Sequence, residues 1–531
     1  MELRNVPELL AARVAEMLDE PFLFSEMDGR SWTYSEFDRA VKSTAAMLRS
    51  RGIVKGDVVS LLLPNSAEYI AAYFACWHIG AIAGPVNSLL KPEEIEWVVS
   101  NSESKLLLAG NAGALPGNAA ALPGNAAALG CMSAKHENND EPLIDPQEPL
   151  PTIFNIPYIF FDDLDALPDD NTELAKISSD DEAIIIYTSG TTGKPKGCLL
   201  THGNLIANAR QITDWLGFGP EDRLLTVMPL FHMNAVTVTT MTALYCGGST
   251  VASPKFSASR FWDIIDKYRI TSFGSVATML SMLLERRHPG GEPAGSRRSL
   301  RFAMCGSAPV PAEVLNRFEE TFGILVIEGY GLSESTCRST FNPPNENRRA
   351  GSCGMPIGNE MKVFDEEDNE VPDGTLGEIV LRGPNIFKEY FKNPEATAQA
   401  FRGGWFHTGD IGYRDADGFV YIADRKSDMI IRGGENIYPR EIDDLLYTHP
   451  AVAAAAVIGV PDELYGEEVA AFIVLREGKT PSEADMIDFC RRHLADYKCP
   501  KTIHFVPDIP KGPTGKLLKR ELALLFEQKK V

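Results

Sequence analysis

Tyr187-Thr188-Ser189-Gly190-Thr191-Thr192-Gly193-Lys194-Pro195-Lys196-Gly197 follows directly on the apolar run Ala183-Ile184-Ile185-Ile186. Three threonines, three glycines and two lysines in eleven residues have the chemistry of a loop wrapped round a polyphosphate. Glycines let backbone N–H groups approach phosphate oxygens, hydroxyls donate to them, and lysines offset their charge. The stretch is not a Walker A loop. That motif puts four residues between its first glycine and Gly-Lys and continues with Ser or Thr. Here two residues separate Gly190 from Gly193-Lys194, and Pro195 follows. The next segment, Gly197-Cys198-Leu199-Leu200-Thr201-His202, reads as a strand, so the loop joins two strands instead of opening a helix.

Outward from this loop, short apolar runs alternate with helical patterns from Asp57 to about Tyr330. Val58–Leu63, Lys105–Ala109, Leu224–Met228, Ser249–Ala252, Ile270–Ser275, Phe302–Cys305 and Leu325–Glu328 read as strands. Glu68–His78, Ser257–Tyr268 and Pro311–Phe322 read as helices between them. The alternation predicts an α/β fold with parallel sheets covered by helices, and ligands beyond the carboxyl ends of the strands. Gly306-Ser307-Ala308-Pro309 and Gly329-Tyr330-Gly331 fall at such ends.

After about Gly351, close strands and turns at Asp373-Gly374, Gly403-Gly404 and Asp417-Gly418 predict a small β-rich, barrel-like subdomain over about 351–426. A second alternating pattern begins near Asp428 and is long enough for a small C-terminal α/β domain. The expected division is therefore 1–426 and 427–531. Residues 111–130 repeat Asn-Ala-x-Ala-Leu-Pro-Gly with a Pro or Gly in each unit, which excludes a continuous helix. The stretch 111–145 reads as a low-complexity insertion with no assigned role.

A chain of 531 residues exceeds one hydrophobic core, and 44% hydrophobic with 23% charged residues is ordinary globular composition. A net charge of −22 argues against a nucleic-acid partner. Any anionic ligand must then be held by local basic groups. Nine cysteines without CxxC spacing read as reduced thiols of a cytoplasmic protein. The N-terminus has no apolar signal segment, and the C-terminus Gln528-Lys529-Lys530-Val531 is not a peroxisomal tripeptide. Tyr69–Val86, the one long apolar run, contains His78, two glycines and Pro85. It reads as a buried helix followed by a strand, not as a membrane span.

Over nearly its whole length the chain resembles the AMP-forming adenylating enzymes, which include acyl-CoA synthetases, firefly luciferase and peptide-synthetase adenylation domains. Within them it is most similar to acid–CoA ligases of the carnitine/crotonobetaine and medium-chain type. The resemblance implies that a carboxylic acid reacts with ATP to give acyl-AMP and pyrophosphate, after which CoA takes the acyl group as a thioester. ATP, CoA and Mg2+ are the implied substrates and cofactor. Two rivals differ in class: an adenylation enzyme charging a carrier protein, of which none follows Val531, and a non-catalytic nucleotide-binding protein of the same fold.

The resemblance assigns Thr188, Ser189, Gly190, Thr191, Thr192, Gly193, Lys194 and Lys196 to the phosphates. It assigns Gly306, Ser307, Ala308, Glu328, Gly329, Tyr330, Gly331 and Ser333 to the nucleotide. Glu334, in Tyr330-Gly331-Leu332-Ser333-Glu334, matches the magnesium-binding glutamate, with Thr188 as second metal contact. The family usually has Thr where Ser333 stands, and Ser keeps the hydroxyl. Magnesium takes one or two carboxylates plus phosphate oxygens, so a single Glu suffices. Asp410, in Trp405-Phe406-His407-Thr408-Gly409-Asp410, matches the ribose-binding carboxylate, which can accept from two hydroxyls at once. Arg425 matches the arginine near ribose and phosphate. Lys516, in Pro510-Lys511-Gly512-Pro513-Thr514-Gly515-Lys516, matches the lysine that bridges carboxylate and phosphate during adenylation.

The resembling enzymes rotate their C-terminal domain about a residue, commonly Asp or Lys, two positions after the arginine. Here Ser427 stands there, which admits rotation but puts a charge-based hinge in doubt. Gly433-Gly434 matches the loop that lines the pantetheine tunnel, or is a plain turn. Tyr497-Lys498-Cys499-Pro500-Lys501 adds candidate cations for the CoA phosphates. His232 matches the gate between the acyl site and ATP, and Met233–Val236, Ser307-Ala308 and the residues after Glu334 are expected to line the acyl pocket. Cys337 and Arg338 stand there where relatives often have small or apolar residues. Arg338 either faces inward, favouring an acid with a second anionic group, or points to solvent or pairs with a nearby acid.

Overall fold

A computed structural model describes residues 3–110, 152–161, 163–164, 167, 172–188, 195–285, 299–306, 310–511 and 517–529. The insertion 111–145 and, among the expected site residues, Ser189–Lys194, Ser307, Ala308 and Lys516 lie outside the described residues.

Two large sheets form the N-terminal part. One has seven strands in the spatial order Leu325–Glu328, Phe302–Cys305, Ser272–Ser275, Arg223–Thr226, Ser249–Ala252, Pro21–Ser25 and Ser31–Thr33. All its pairs are parallel except the terminal hairpin. The other has eight, in the order Glu389–Tyr390, Lys196–Thr201, Glu182–Thr188, Ile82–Pro85, Val58–Leu62, Leu106–Ala109, Ile156–Phe160 and Thr152–Ile153. Its middle is parallel. Glu182–Thr188 and Lys196–Thr201 pair antiparallel, with Thr188 opposite Lys196, so the glycine-rich loop is a strand-to-strand connection as expected. The expectation of purely parallel sheets gives way here to a mixed sheet, because a short loop can join only antiparallel neighbours.

The helix Ala67–Ile79 is buried on every face, which is why its sequence is apolar without a polar stripe. Ser66 caps it by accepting from the Tyr69 N–H, and Gly80 ends it at φ 74. Its aromatic residues tie both sheets together. Trp77 Nε1 donates to Ala183 O at 2.9 Å in the eight-stranded sheet. Tyr73 donates to Leu230 O at 2.7 Å, just beyond a strand of the seven-stranded sheet. Burying each such ring contributes about 1.5–3 kcal/mol, and satisfying its polar tip avoids a desolvation loss. No helix among the described residues is long and apolar enough to cross a membrane.

Glu360–Phe364, Gly377–Arg382, Phe406–Arg414 and Val420–Arg425 make an antiparallel four-stranded sheet, the expected β-rich unit. A small C-terminal domain follows. Its sheet is built on the long hairpin Val452–Asp462 and Gly466–Leu475, with Ile430–Arg432, Glu435–Ile437 and Thr502–Phe505 alongside. It has a separate hydrophobic core around Ile430, Ile437, Ile442, Val457, Val469 and Ile473.

One local element goes beyond the sequence reading. The segment after His232 is a π-helix over Asn234–Met241 that runs into the α-helix Thr242–Cys246. Thr239 and Thr240 both donate their hydroxyls to Ala235 O, and Thr242 to Thr237 O. Such wide turns recur at functional sites. No periodicity in Asn-Ala-Val-Thr-Val-Thr-Thr-Met distinguishes them from an α-helix or strand.

Candidate active site

The strand ends converge. Thr188 ends one strand, Gly306 follows Cys305 at the end of another, and Gly329 follows Glu328. The Gly306 N–H reaches Ser275 O at 3.3 Å, at the end of the strand beside it.

Glu334 lies in a single 3-10 turn, Ser333–Ser335, and is buried. Its Oε1 accepts from Thr188 Oγ1 at 3.3 Å and from the Tyr390 hydroxyl at 3.1 Å. Its carbonyl accepts from the Phe387 N–H at 2.7 Å. The stem of the glycine-rich loop and the expected metal-binding carboxylate are thus in contact. Tyr390 also carries Lys196, whose Nζ stands 5.1 Å from the ring centroid. Sequence reasoning missed Tyr390, since nothing near Phe387-Lys388-Glu389-Tyr390 marks it. Its strand pairs with Lys196–Thr201, and only that pairing brings it to the site.

Glycines at 329 and 331 are required by close packing. A Cβ at Gly329 would lie 2.5 Å from Phe341 Cδ1 and 2.6 Å from Thr340 O; one at Gly331 would lie 2.0 Å from Cys337 O. Between them, Tyr330 donates to Asp410 Oδ2 at 2.6 Å. Arg425 faces Asp410 across the ladder, with Nε 3.3 Å from Oδ1. Burial and the Asp410 carboxylate raise the Tyr330 hydroxyl well above its usual range, so it stays a donor. Burial alone would lower the Arg425 pKa, but Asp410 and neighbouring anions outweigh it. Glu378, also unforeseen, holds the segment leading to Asp410. It accepts from the Gly409 N–H at 3.0 Å and from Arg402 Nη2 at 2.9 Å, and lies 3.3 Å from His407 Nδ1.

The C-terminal domain docks beside this cluster through Arg440. Its N–H donates to Asp424 Oδ2 at 2.9 Å and its Nη1 to Ile422 O at 2.7 Å. Glu328 is buried, with Oε2 lacking a hydrogen-bond partner among the described residues. Burial pushes its carboxyl up to about 8 despite the nearby Arg440.

His232 has its Nε2 enclosed and without a partner among the described residues. Burial lowers it to about 4, so the imidazole is neutral. Ser427 is exposed, in a turn where its Oγ donates to Asp428 Oδ1 at 3.0 Å. Gly433-Gly434 forms the tip of the hairpin Ile430–Arg432/Glu435–Ile437, with φ of 59 and 92. Lys516 lies outside the described residues, but the ends of its loop are joined, since Lys511 pairs with Leu517. The lysines considered for the CoA phosphates each stand in an ion pair. Lys498 Nζ is 2.7 Å from Glu441 Oε2 and Lys501 Nζ 2.8 Å from Asp462 Oδ2, so both charges are already paired in this arrangement.

Residues 10–391 match the AMP-binding enzyme family and residues 441–516 its C-terminal domain. The chain is 36% identical to a sulfoacetate–CoA ligase of Cupriavidus necator over 98% of its length and 99% of that protein. It is 36% identical to an oxalate–CoA ligase of Arabidopsis thaliana, covering 93% of each chain. It is 33% identical to a crotonobetaine/carnitine–CoA ligase of Citrobacter koseri, covering 94% and 95%. The o-succinylbenzoate-CoA synthetase of Bacillus subtilis, solved with its acyl-adenylate intermediate, superimposes with a TM-score of 0.81 at 31% identity over 97% of each chain. The chain belongs to the AMP-binding, adenylate-forming enzyme family. It is an AMP-forming acid–CoA ligase: an acid and ATP give acyl-AMP and pyrophosphate, and CoA then displaces AMP.

Proposed function

We propose that this ligase works with Mg2+ and divides its reaction between two units, 1–426 and a mobile 427–531. The observation that carries the reading is the contact of Thr188 and Tyr390 with the Glu334 carboxylate at the stem of the phosphate loop. A single carboxylate with hydroxyls beside it is a hard oxygen donor set that suits magnesium, which completes its shell with phosphate oxygens and water. Among the described residues there is no group of three or more His, Cys, Asp or Glu that could hold a metal. When bound, the ion would offset phosphate charge as the anionic acid approaches.

Residues 188–194 and Lys196 then surround the phosphates, and Gly306, Ser307, Ala308 and Glu328 to Ser333 the nucleoside. Asp410 accepts both ribose hydroxyls, with Arg425 holding its carboxylate in place. Lys516 delivers an ammonium group between the carboxylate oxygen and the α-phosphate. The oxygen attacks phosphorus, the bond to pyrophosphate breaks, and acyl-AMP results. His232, neutral by burial, separates the acyl site from ATP without adding charge. The C-terminal domain then turns at Ser427, withdrawing Lys516 and bringing Gly433-Gly434 to the thiol entry. A hairpin tip without side chains suits a narrow passage for pantetheine.

The names of the relatives do not choose an acid by themselves. Sulfoacetate and oxalate carry a second anionic group, whereas carnitine carries a cation.

The test separates the two half-reactions. Lys516→Ala should lower acid-dependent pyrophosphate release by about a hundredfold or more, a typical loss for one transition-state charge contact. Thioester formation from supplied acyl-AMP and CoA should stay within a few-fold of wild type. Equal loss of both half-reactions would refute the division of labour.

A further inference from the structure

We propose that Arg338 selects the acid, and that the preferred substrate is a short acid bearing a second anionic group, carboxylate or sulfonate, besides the reacting carboxylate. This rests on the ligase reading and deepens it.

Arg338 is 1% exposed and among the largest fully buried side chains of the protein. Its backbone is pinned on both sides by Asn208. The Arg338 N–H donates to Asn208 Oδ1 at 3.1 Å, and Asn208 Nδ2 donates to Arg338 O at 2.7 Å. The guanidinium lies against Gly306, where a Cβ would come within 2.9 Å of Cζ and Nη1. The Phe341 ring lies 5.4 Å from Cζ. Nε and Nη2 are enclosed and have no hydrogen-bond partner among the described residues.

Among the described residues no carboxylate forms an ion pair with Arg338. Glu328 faces Arg440 and Asp444. Glu334 accepts from Thr188 and Tyr390. An arginine does not shed its charge on burial as a lysine can, and a buried charge without a counterion is strongly unfavourable. A planar fork with two donors unused is the complement of a carboxylate or sulfonate. Neither a solvent-facing arginine nor one paired with an acid among the described residues fits these facts.

The position is that of the acyl group. Gly306 ends a strand, and the neighbouring strand ends in Gly274-Ser275. A Cβ at Gly274 would lie 2.7 Å from Asn234 Oδ1, on the π-helix that follows His232. Arg338 therefore shares one sheet edge with the residues expected to line the acyl pocket. It follows Glu334 by four positions, which limits the two Cα atoms to about 14 Å. The turn between them is tight, with Thr336 at φ 65 and the Cys337 N–H bonded to Ser335 O at 2.8 Å. The guanidinium is thereby kept near the phosphate end of the site, which favours a compact acid.

The experiment measures pyrophosphate release by the full-length enzyme with matched acids: malonate against propionate, and succinate against butyrate, with sulfoacetate as the sulfonate probe. Wild type is expected to show kcat/KM at least tenfold higher for the better dianion than for its uncharged-tail partner. Arg338→Met should reduce that ratio at least tenfold, through the KM of the acid, leaving the KM of ATP within threefold. Arg338→Lys should recover part of it. A wild type that handles propionate or butyrate as well as the matching dianion would overturn the assignment while leaving the ligase reading intact. So would a folded Arg338→Met with an unchanged ratio. If Arg338→Met does not fold, the wild-type ratios and Arg338→Lys decide. Failure of every acid to release pyrophosphate would instead strike the ligase reading itself.

Discussion

The Tyr330 hydroxyl donates to Asp410 Oδ2 at 2.6 Å, across a separation of 80 residues. Arg425, at 3.3 Å from Oδ1, holds the other oxygen. A carboxylate fixed from both sides is a preorganised acceptor, so a ligand need not order it on binding. This contact joins the seven-stranded sheet to the antiparallel one, and the proposed nucleotide site draws on both.

Asp410→Asn keeps the shape but removes the charge and one acceptor. Charge-assisted hydrogen bonds are worth about 1.5–3 kcal/mol, so the KM of ATP should rise about 10- to 100-fold. Tyr330→Phe, which leaves Arg425 in place, should cost about tenfold or less. Steady-state pyrophosphate release at varied ATP checks both.

Glu334→Gln should lower the rate of adenylation by about a hundredfold or more and raise the Mg2+ concentration needed for half-maximal rate. Tyr390→Phe removes one donor from the same oxygen and should shift that concentration only a few-fold. An unchanged magnesium titration in Glu334→Gln would remove this residue from the metal site.

Glu328 sets an alkaline limit. Its carboxyl is raised from 4.5 to about 8, chiefly by burial. The folded state therefore binds more protons than the unfolded state between these values. Stability is fully present below pH 4.5 and falls as pH rises through 8, by on the order of a few kcal/mol. Glu328→Gln should flatten the decline of Tm between pH 6 and 9, measured side by side with wild type.

His202 acts in the opposite direction. It is fully buried, its Nδ1 faces the Val6 N–H at 3.4 Å, and burial lowers it to about 4 from 6.5. The folded state holds it neutral, so its contribution is present above pH 6.5 and is lost as pH falls through 4, by about 3 kcal/mol. Denaturant unfolding between pH 7 and 4 should lose less stability in His202→Gln than in wild type, whatever the variant's starting stability.

Gly433→Leu should slow thioester formation from acyl-AMP about tenfold or more while adenylation stays within a few-fold. The φ of 59 at this hairpin tip penalises a bulky residue, about 1 kcal/mol. Gly433→Asn, which tolerates that conformation, is the control for backbone strain. Equal slowing of both half-reactions would show that the tip has no special part in thiol entry.

Much of this was legible in the chain. The glycine-rich loop declares its chemistry by residue type within eleven positions. The strands before Gly306 and Gly329 declare themselves as short apolar runs. The loop's place between two strands follows from the apolar segments on either side. These features depend on neighbours in sequence, where spacing and backbone preference act directly. The π-helix after His232 did not show, because its hydroxyl-to-carbonyl bonds leave no periodic mark. Only packing shows that Lys498 and Lys501 stand beside Glu441 and Asp462.

The residue types alone pointed to a polyphosphate loop and a second small domain, and the motifs they form resembled those of acid-activating enzymes. Only the tertiary structure decided which groups meet. Tyr390 reaches Glu334 across 56 residues, Thr188 reaches it across 146, and Arg440 comes to lie beside Glu328. The fate of Arg338 was equally undecided, since its side chain had three destinations and packing against Gly306 and Phe341 left one. The physical reason is the same in each case. A side chain's charge and donors are written in the sequence, but its burial and partners come from elements that touch only after the sheets have closed.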